Sequence, residues 1–199
     1  MPMRKPSRAV RAGALACAAA LAGCGSSLPS AATTATVPRG VVNLRVNGRL
    51  PTLELESPGL YSGSTIQVGR TCDEQGLPPA LKWSEPPFGT TELALFVLRV
   101  PESGGNGISL QWAAAGMSST LREVQAGKLP AGAVLGDKSG HGPFFACPRP
   151  GKSASYLFLL YALTARHALR PGFDEDKLFV PTYSSSTPFG AFVLDYARA

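Results

Sequence analysis

From Val41 onward the apolar residues recur with the short period of strands more than the longer period of helices. Leu53-Glu54-Leu55-Glu56-Ser57 alternates apolar and polar side chains, as a half-buried strand does. Val41 to Val46 and Ala80 to Trp83 read as further short strands. Leu93 to Val100 is a continuous apolar run interrupted by Arg99 alone, which predicts a central strand covered on both faces. Ile108 to Met117 is a second largely apolar run, and Ser155 to Leu163 is the strongest. Two helical pieces are expected: Asp174 to Phe179 after the Pro171-Gly172 turn, and a turn over Ser119 to Ala126 with Ser119 as its cap. The 22 glycines and 18 prolines favour strands joined by turns over long helices. The pattern therefore predicts a mainly β domain, mostly antiparallel, with few short helices.

The first residues follow a different logic. Arg4, Lys5, Arg8 and Arg11 precede Ala12 to Ala22, a short stretch of Ala, Leu, Gly and Cys. That stretch falls short of the roughly 20 apolar residues a spanning helix needs. A basic start and a short apolar core make a secretory signal. Leu21-Ala22-Gly23-Cys24 resembles the bacterial lipoprotein box, which implies cleavage before Cys24 and acylation of its sulfur. Several acyl chains hold a protein at a bilayer because each buried CH2 contributes about 0.8 kcal/mol. Gly25 to Val37 is Ser, Ala, Thr, Gly and Pro with almost no large apolar residue, the composition of a flexible tether. The expected organisation is a signal over residues 1–23, a lipid-anchored tether over 24–45 and one domain over 46–199.

The signal changes the charge argument. The chain carries 19 basic and 13 acidic side chains, a net charge of +6. Without the four basic residues of the signal, fifteen bases face thirteen acids and the net charge falls to +2. The remaining bases are scattered singly, so nucleic acid is excluded as a partner. Export also clarifies the cysteines. Cys17 leaves with the signal and Cys24 takes the lipid, so Cys72 and Cys147 remain in an oxidising compartment. A disulfide between them is expected, closing a loop of about 75 residues and contributing roughly 4 kcal/mol in the chain-entropy model. The alternative is two buried free thiols, which pack as small hydrophobes.

An ordered set of motifs then points to a family. Thr71-Cys72-Asp73 with Pro78-Pro79-Ala80-Leu81-Lys82-Trp83, and Pro86-Pro87-Phe88-Gly89-Thr90 with Leu93-Ala94-Leu95, come first. Gln111-Trp112, Ala146-Cys147-Pro148-Arg149-Pro150-Gly151 and Tyr156-Leu157-Phe158 with Tyr161-Ala162-Leu163 follow. In this order and spacing they resemble the bacterial branch of the phosphatidylethanolamine-binding protein family, over roughly Leu53 to Asp195. The resemblance implies a β-sandwich-like fold with a small pocket at one end, built by these loops and used for phosphate-bearing or other anionic groups. It also implies that some members act by binding kinases or serine proteases.

The departures from the family pattern fall on the pocket. Where the family has an Asp-Pro-Asp-Ala-Pro motif, this chain has Arg99-Val100-Pro101-Glu102-Ser103. Gln111 replaces the His of a His-Trp pair, and Ala154-Ser155-Tyr156 replaces His-Arg-Tyr. The candidate ligand-binding residues that remain are Arg99, Gln111, Trp83, Trp112, Pro148 and Tyr156. Arg99 either pairs with phosphate or carboxylate through its fork of donors, or reaches solvent or Glu102 as an ordinary strand-end Arg. Gln111 either binds a neutral polar ligand or satisfies nearby backbone groups. Trp83, Trp112 and Tyr156 either wall a pocket or fill the core.

Catalytic chemistry is not expected. His141 sits beside Ser139 in a Gly-rich loop, His167 follows the last strong strand, and no Gly-x-Ser-x-Gly elbow exists. Two isolated His without patterned carboxylates form no metal site. Asp174-Glu175-Asp176 reads as a solvated helix start that complements the dipole, and Gly104 to Gly107 as a turn between strands. No cofactor or metal is expected. The function expected is non-enzymatic: a lipid-anchored protein on the exported face of a bacterial cell membrane, binding a small anionic or polar ligand in a degenerate pocket. The alternative is a protein-interaction module, protease-inhibitor-like or scaffolding, with a loop patch over Gly140 to Phe145.

Overall fold

The computed structural model describes residues 44–102, 107–129, 132–137 and 146–199, all within one compact unit, Pro38–Ala199. In chain order the strands are β1 (Leu55–Glu56), β2 (Ser64–Thr65), β3 (Leu81–Trp83), β4 (Glu92–Pro101), β5 (Ser109–Ser118), β6 (Glu123–Val124), β7 (Val134–Leu135) and β8 (Ser153–Leu163). Helix α1 (Glu175–Ser184) and β9 (Phe189–Ala197) complete the chain, and a 3-10 turn covers Val68–Arg70. Six strands form one sheet in the order β2-β9-β8-β4-β5-β7, and a second sheet has the order β1-β3-β6. Pairing is antiparallel except between the edge strand β2 and β9. The mainly β architecture read from the sequence is the architecture observed.

The apolar run of β4 is explained by its central place. Leu93, Leu95 and Val97 face one core, shared with Leu81 and Trp83 of the small sheet. Ala94, Phe96 and Leu98 face the other, shared with Leu178 of α1. Both faces are buried, so strict alternation of polarity is lost. Strand β8 divides in the same way, Tyr156, Phe158 and Leu160 to the first core, Leu159 and Tyr161 to the second.

Two irregularities between β4 and β5 shape the sheet. The register shifts between Leu93 and Leu95, where Gly116 adopts φ 75°, and again between Val97 and Leu98. Val97 faces Trp112 while Leu98 faces Leu110, so Gln111 is the extra residue of a bulge. Bulges of this kind bend a strand and re-aim its side chains.

Several sequence expectations are corrected. Ser119 to Ala126 is not helical: Glu123 and Val124 pair with Lys82 and Leu81 as β6. Burial of Val124 against the small sheet outweighs the local capping signal. The helix after Pro171-Gly172 runs on to Ser184 with Pro181 inside it, beyond the expected stop at Phe179. Asp174 caps it by accepting from the Lys177 amide at 3.2 Å. The acidic triplet is not wholly solvated, since Glu175 is fully buried. Its side chain lies over Gly136, where a Cβ would stand 1.9 Å from Glu175 Cγ. Strand β9, read from no pattern above, is a full partner of β8. Of the expected strand Val41 to Val46, the described part closes a turn in which Val46 and Arg49 exchange backbone hydrogen bonds. Residues 41–43, 104–106 and 140–145, with His141, lie outside the described residues, as do the signal and tether.

Candidate functional site

The cores leave one group of polar side chains at the end of the large sheet where β4 finishes and β8 begins. Arg99 is directly opposite Tyr156 of β8 on one side and Ser109 of β5 on the other. By alternation it shares the face of Leu95 and Val97, the face that holds Trp112, Tyr156 and Tyr196. Arg99 is half-buried, and its Nε is shut off from solvent with no acceptor among the described residues. The Nε1 of Trp112, on the neighbouring strand, is in the same state. Each is a donor only, and a buried donor without a partner costs about 1–3 kcal/mol.

Tyr156 is fully buried. Burial pushes its phenol up, against a backbone hydrogen bond from Cys147 and the positive charge of Arg99. Arg99 and the Tyr156 hydroxyl thus share one electrostatic environment. Gln111 projects from the bulge, and its amide donates to Ser109 Oγ at 2.9 Å and Leu110 O at 3.4 Å. Its donors are spent on its own strand, as in the backbone-satisfying alternative. Trp83 lies on β3 and gives its indole N–H to Leu121 O at 2.9 Å, so its polar atom is already used.

The loop beneath is pinned by covalent and ionic links. Cys72 and Cys147 form the expected disulfide, with Cα atoms 5.4 Å apart, inside the usual range. Thr71 and Ala146 form a parallel bridge beside it. Pro148 is buried, and its carbonyl accepts from Arg198 Nη1 at 3.4 Å. Arg198 also holds Asp73 Oδ1, through Nε at 2.9 Å and Nη2 at 2.7 Å. The other carboxylate oxygen of Asp73 accepts the Tyr196 hydroxyl at 2.6 Å. That hydrogen bond first, then Arg198, holds the Asp73 carboxyl below the ordinary carboxylate range despite some desolvation.

The site therefore brings together Arg99, Tyr156, Trp112 and the Cys147-Pro148 loop, while Trp83 and Gln111 are engaged elsewhere. Sequence reasoning missed Asp73, Tyr196 and Arg198. Asp73 stood in a motif used only to recognise the fold, and Arg198 is one residue from the end of the sequence, on a strand that went unread. Among the described residues no group of three or more His, Cys, Asp or Glu is placed to hold a metal ion. His167 lies at the opposite end of β8, its Nδ1 2.6 Å from Glu92 Oε1 and its backbone N–H 3.2 Å from Glu92 Oε2. No helix among the described residues is long and apolar enough to cross a membrane.

Comparison with known proteins agrees with this fold. The sequence model of the family described as "Phosphatidylethanolamine-binding protein" matches residues 56–191. The crystal structure of a putative homologue of that family, CT736 from Chlamydia trachomatis, superposes with a TM-score of 0.63 at 24% identity, covering 74% of this chain and 98% of its own. Escherichia coli YbcL, described as a member of the mammalian family, gives a TM-score of 0.62 at 21% identity, covering 74% and 99%. No curated protein matches the sequence. The family match spans well over half of the chain, and the fold agrees with it: the chain belongs to the phosphatidylethanolamine-binding protein family.

Proposed function

We propose that this chain is a non-enzymatic, lipid-anchored protein of the bacterial envelope that binds a small anionic or polar ligand at the strand-end cluster around Arg99. The observation that carries the binding role is the pair of buried donors, Arg99 Nε and Trp112 Nε1, without acceptors among the described residues. An anion meeting the half-buried Arg99 guanidinium would supply a charge-assisted acceptor. A group rich in acceptors and poor in donors fits such a site, which is the description of a carboxylate or a phosphate ester. The anchor rests on the Leu21-Ala22-Gly23-Cys24 box and the basic, apolar segment before it. In bacteria expressing the full chain, a palmitate analogue should label the protein, and Cys24→Ser should abolish labelling. Binding is tested by following the Trp112 indole N–H in NMR while phosphate or acetate is added. A saturable shift supports the reading; an unmoved signal at millimolar ligand contradicts it.

A second reading, a protein-interaction module, draws on Phe88, which stands fully exposed at the Pro87-to-Thr90 turn. A solvated aromatic ring on a hydrogen-bonded turn suits insertion into a partner's pocket. Phe88→Ala lowering recovery of a cross-linked envelope partner, with anion binding intact, favours that reading.

A further inference from the structure

The reading of Arg99 as an anion-binding group, on which this inference rests, leaves open which anions fit. The charge inventory around the cluster narrows the choice. Arg99 comes from β4, and its guanidinium has no ion-pair partner among the described residues. The second arginine, Arg198 at the end of β9, is already neutralised by Asp73. Tyr156 from β8 and Tyr196 from β9 are neutral hydroxyls in this range. Arg149 and Lys152 in the adjoining loop are solvent-exposed, and the exposed Glu74 and Glu102 offset them. Among the described residues the cluster holds no histidine, and Arg99 is the one positive charge on its inner side without an ion-pair partner.

We infer that Asp73, by occupying Arg198, makes the site select singly charged acceptors, carboxylates and phosphodiesters, over doubly charged phosphate monoesters. The physical reason is the different scaling of two opposing effects. Attraction to one fixed cation grows in proportion to the ligand's charge. The desolvation cost of entering a half-buried site grows with its square. With a single available cation the second negative charge adds more cost than attraction.

The test uses the full chain and two probes that differ by one methyl group. Dimethyl phosphate carries one negative charge from pH 5 to 8. Methyl phosphate passes from one charge to two, with a second pKa of about 6. Calorimetric titration should show dimethyl phosphate binding equally at both pH values. Methyl phosphate should match it at pH 5 and bind at least tenfold more weakly at pH 8. Asp73→Asn, which releases Arg198, should recover the affinity for methyl phosphate at pH 8. Because that variant also loosens Tyr196, the wild-type comparison across pH is decisive alone. Methyl phosphate binding as tightly as the diester, or more tightly, at pH 8 overturns the charge selection while leaving the anion site standing. Binding of neither probe at either pH removes the anion site and this inference with it.

Discussion

Arg99 and Tyr156 are directly opposite each other in the antiparallel pairing of β4 and β8. The opposition puts a guanidinium beside a fully buried phenol on a largely apolar sheet face. Nothing in the packing of β4 asks for an arginine there. An apolar residue would continue the row of Leu93, Leu95 and Val97 without stranding a donor. This local disagreement with the folding pattern is why the position is singled out as the candidate site.

The disulfide ties the Thr71–Asp73 segment to the loop that borders Tyr156. Reduction should lower the unfolding free energy by roughly 4 kcal/mol. Urea denaturation with and without reductant measures this. An unchanged midpoint would mean that the loop closure contributes little.

Gly136 faces the buried side chain of Glu175 at a separation no Cβ tolerates. The opposing atom is Glu175 Cγ, near the root of a side chain on the first turn of α1, so it has little room to yield. Gly136→Ala should therefore cost about 1–3 kcal/mol through overpacking. Equilibrium unfolding in urea tests it, and full stability would show that α1 can shift.

The pH dependence of stability should have an acid limb and an alkaline limb with different contributors. Asp73 has a folded pKa below its unfolded value of about 3.9. Its contribution is present above that value and is lost as pH falls through the folded pKa. Asp174, whose carboxyl is held down by hydrogen bonds to Lys177, adds to the same limb. Asp73→Asn should flatten the decline below about pH 4. Tyr156 is the opposite case, raised by burial above its ordinary value of about 10. Its contribution is complete below pH 10 or so and is lost as pH rises through the folded pKa. Tyr156→Phe should flatten the alkaline decline, as read by circular dichroism against pH.

The long strands were legible because their burial is written as unbroken apolar runs. Leu93 to Val100 and Ser155 to Leu163 are nearly the observed β4 and β8. Ser119 to Ala126 misled because two residues of β6 are too short to show a period, and their pairing with β3 comes from distant chain. Phe189 to Ala197 passed unread although Phe192, Leu194 and Tyr196 alternate toward one core. Gly190 and Ala191 blur the period at its start, and Gly190 leaves room for Leu55 Cβ and the Leu53 carbonyl, which a Cβ would meet at 2.9 and 3.2 Å. Of the site, Arg99, Tyr156, Trp112 and Pro148 were accessible through motif positions. Asp73 stood in a motif without a sign of its role, and Tyr196 and Arg198 stood in none, because contacts between residue 73 and residues 196 and 198 leave no local trace.

The most direct test of the account is the affinity of the full chain for dimethyl phosphate, compared with that of Arg99→Ala, with thermal unfolding recorded on both. The account predicts at least a tenfold loss of affinity in the variant and no loss of thermal stability, because the substitution removes a buried donor that has no acceptor among the described residues. Equal binding by both proteins, or a variant that loses stability and affinity together, would contradict a ligand site at Arg99 and return that residue to the framework of the sheet.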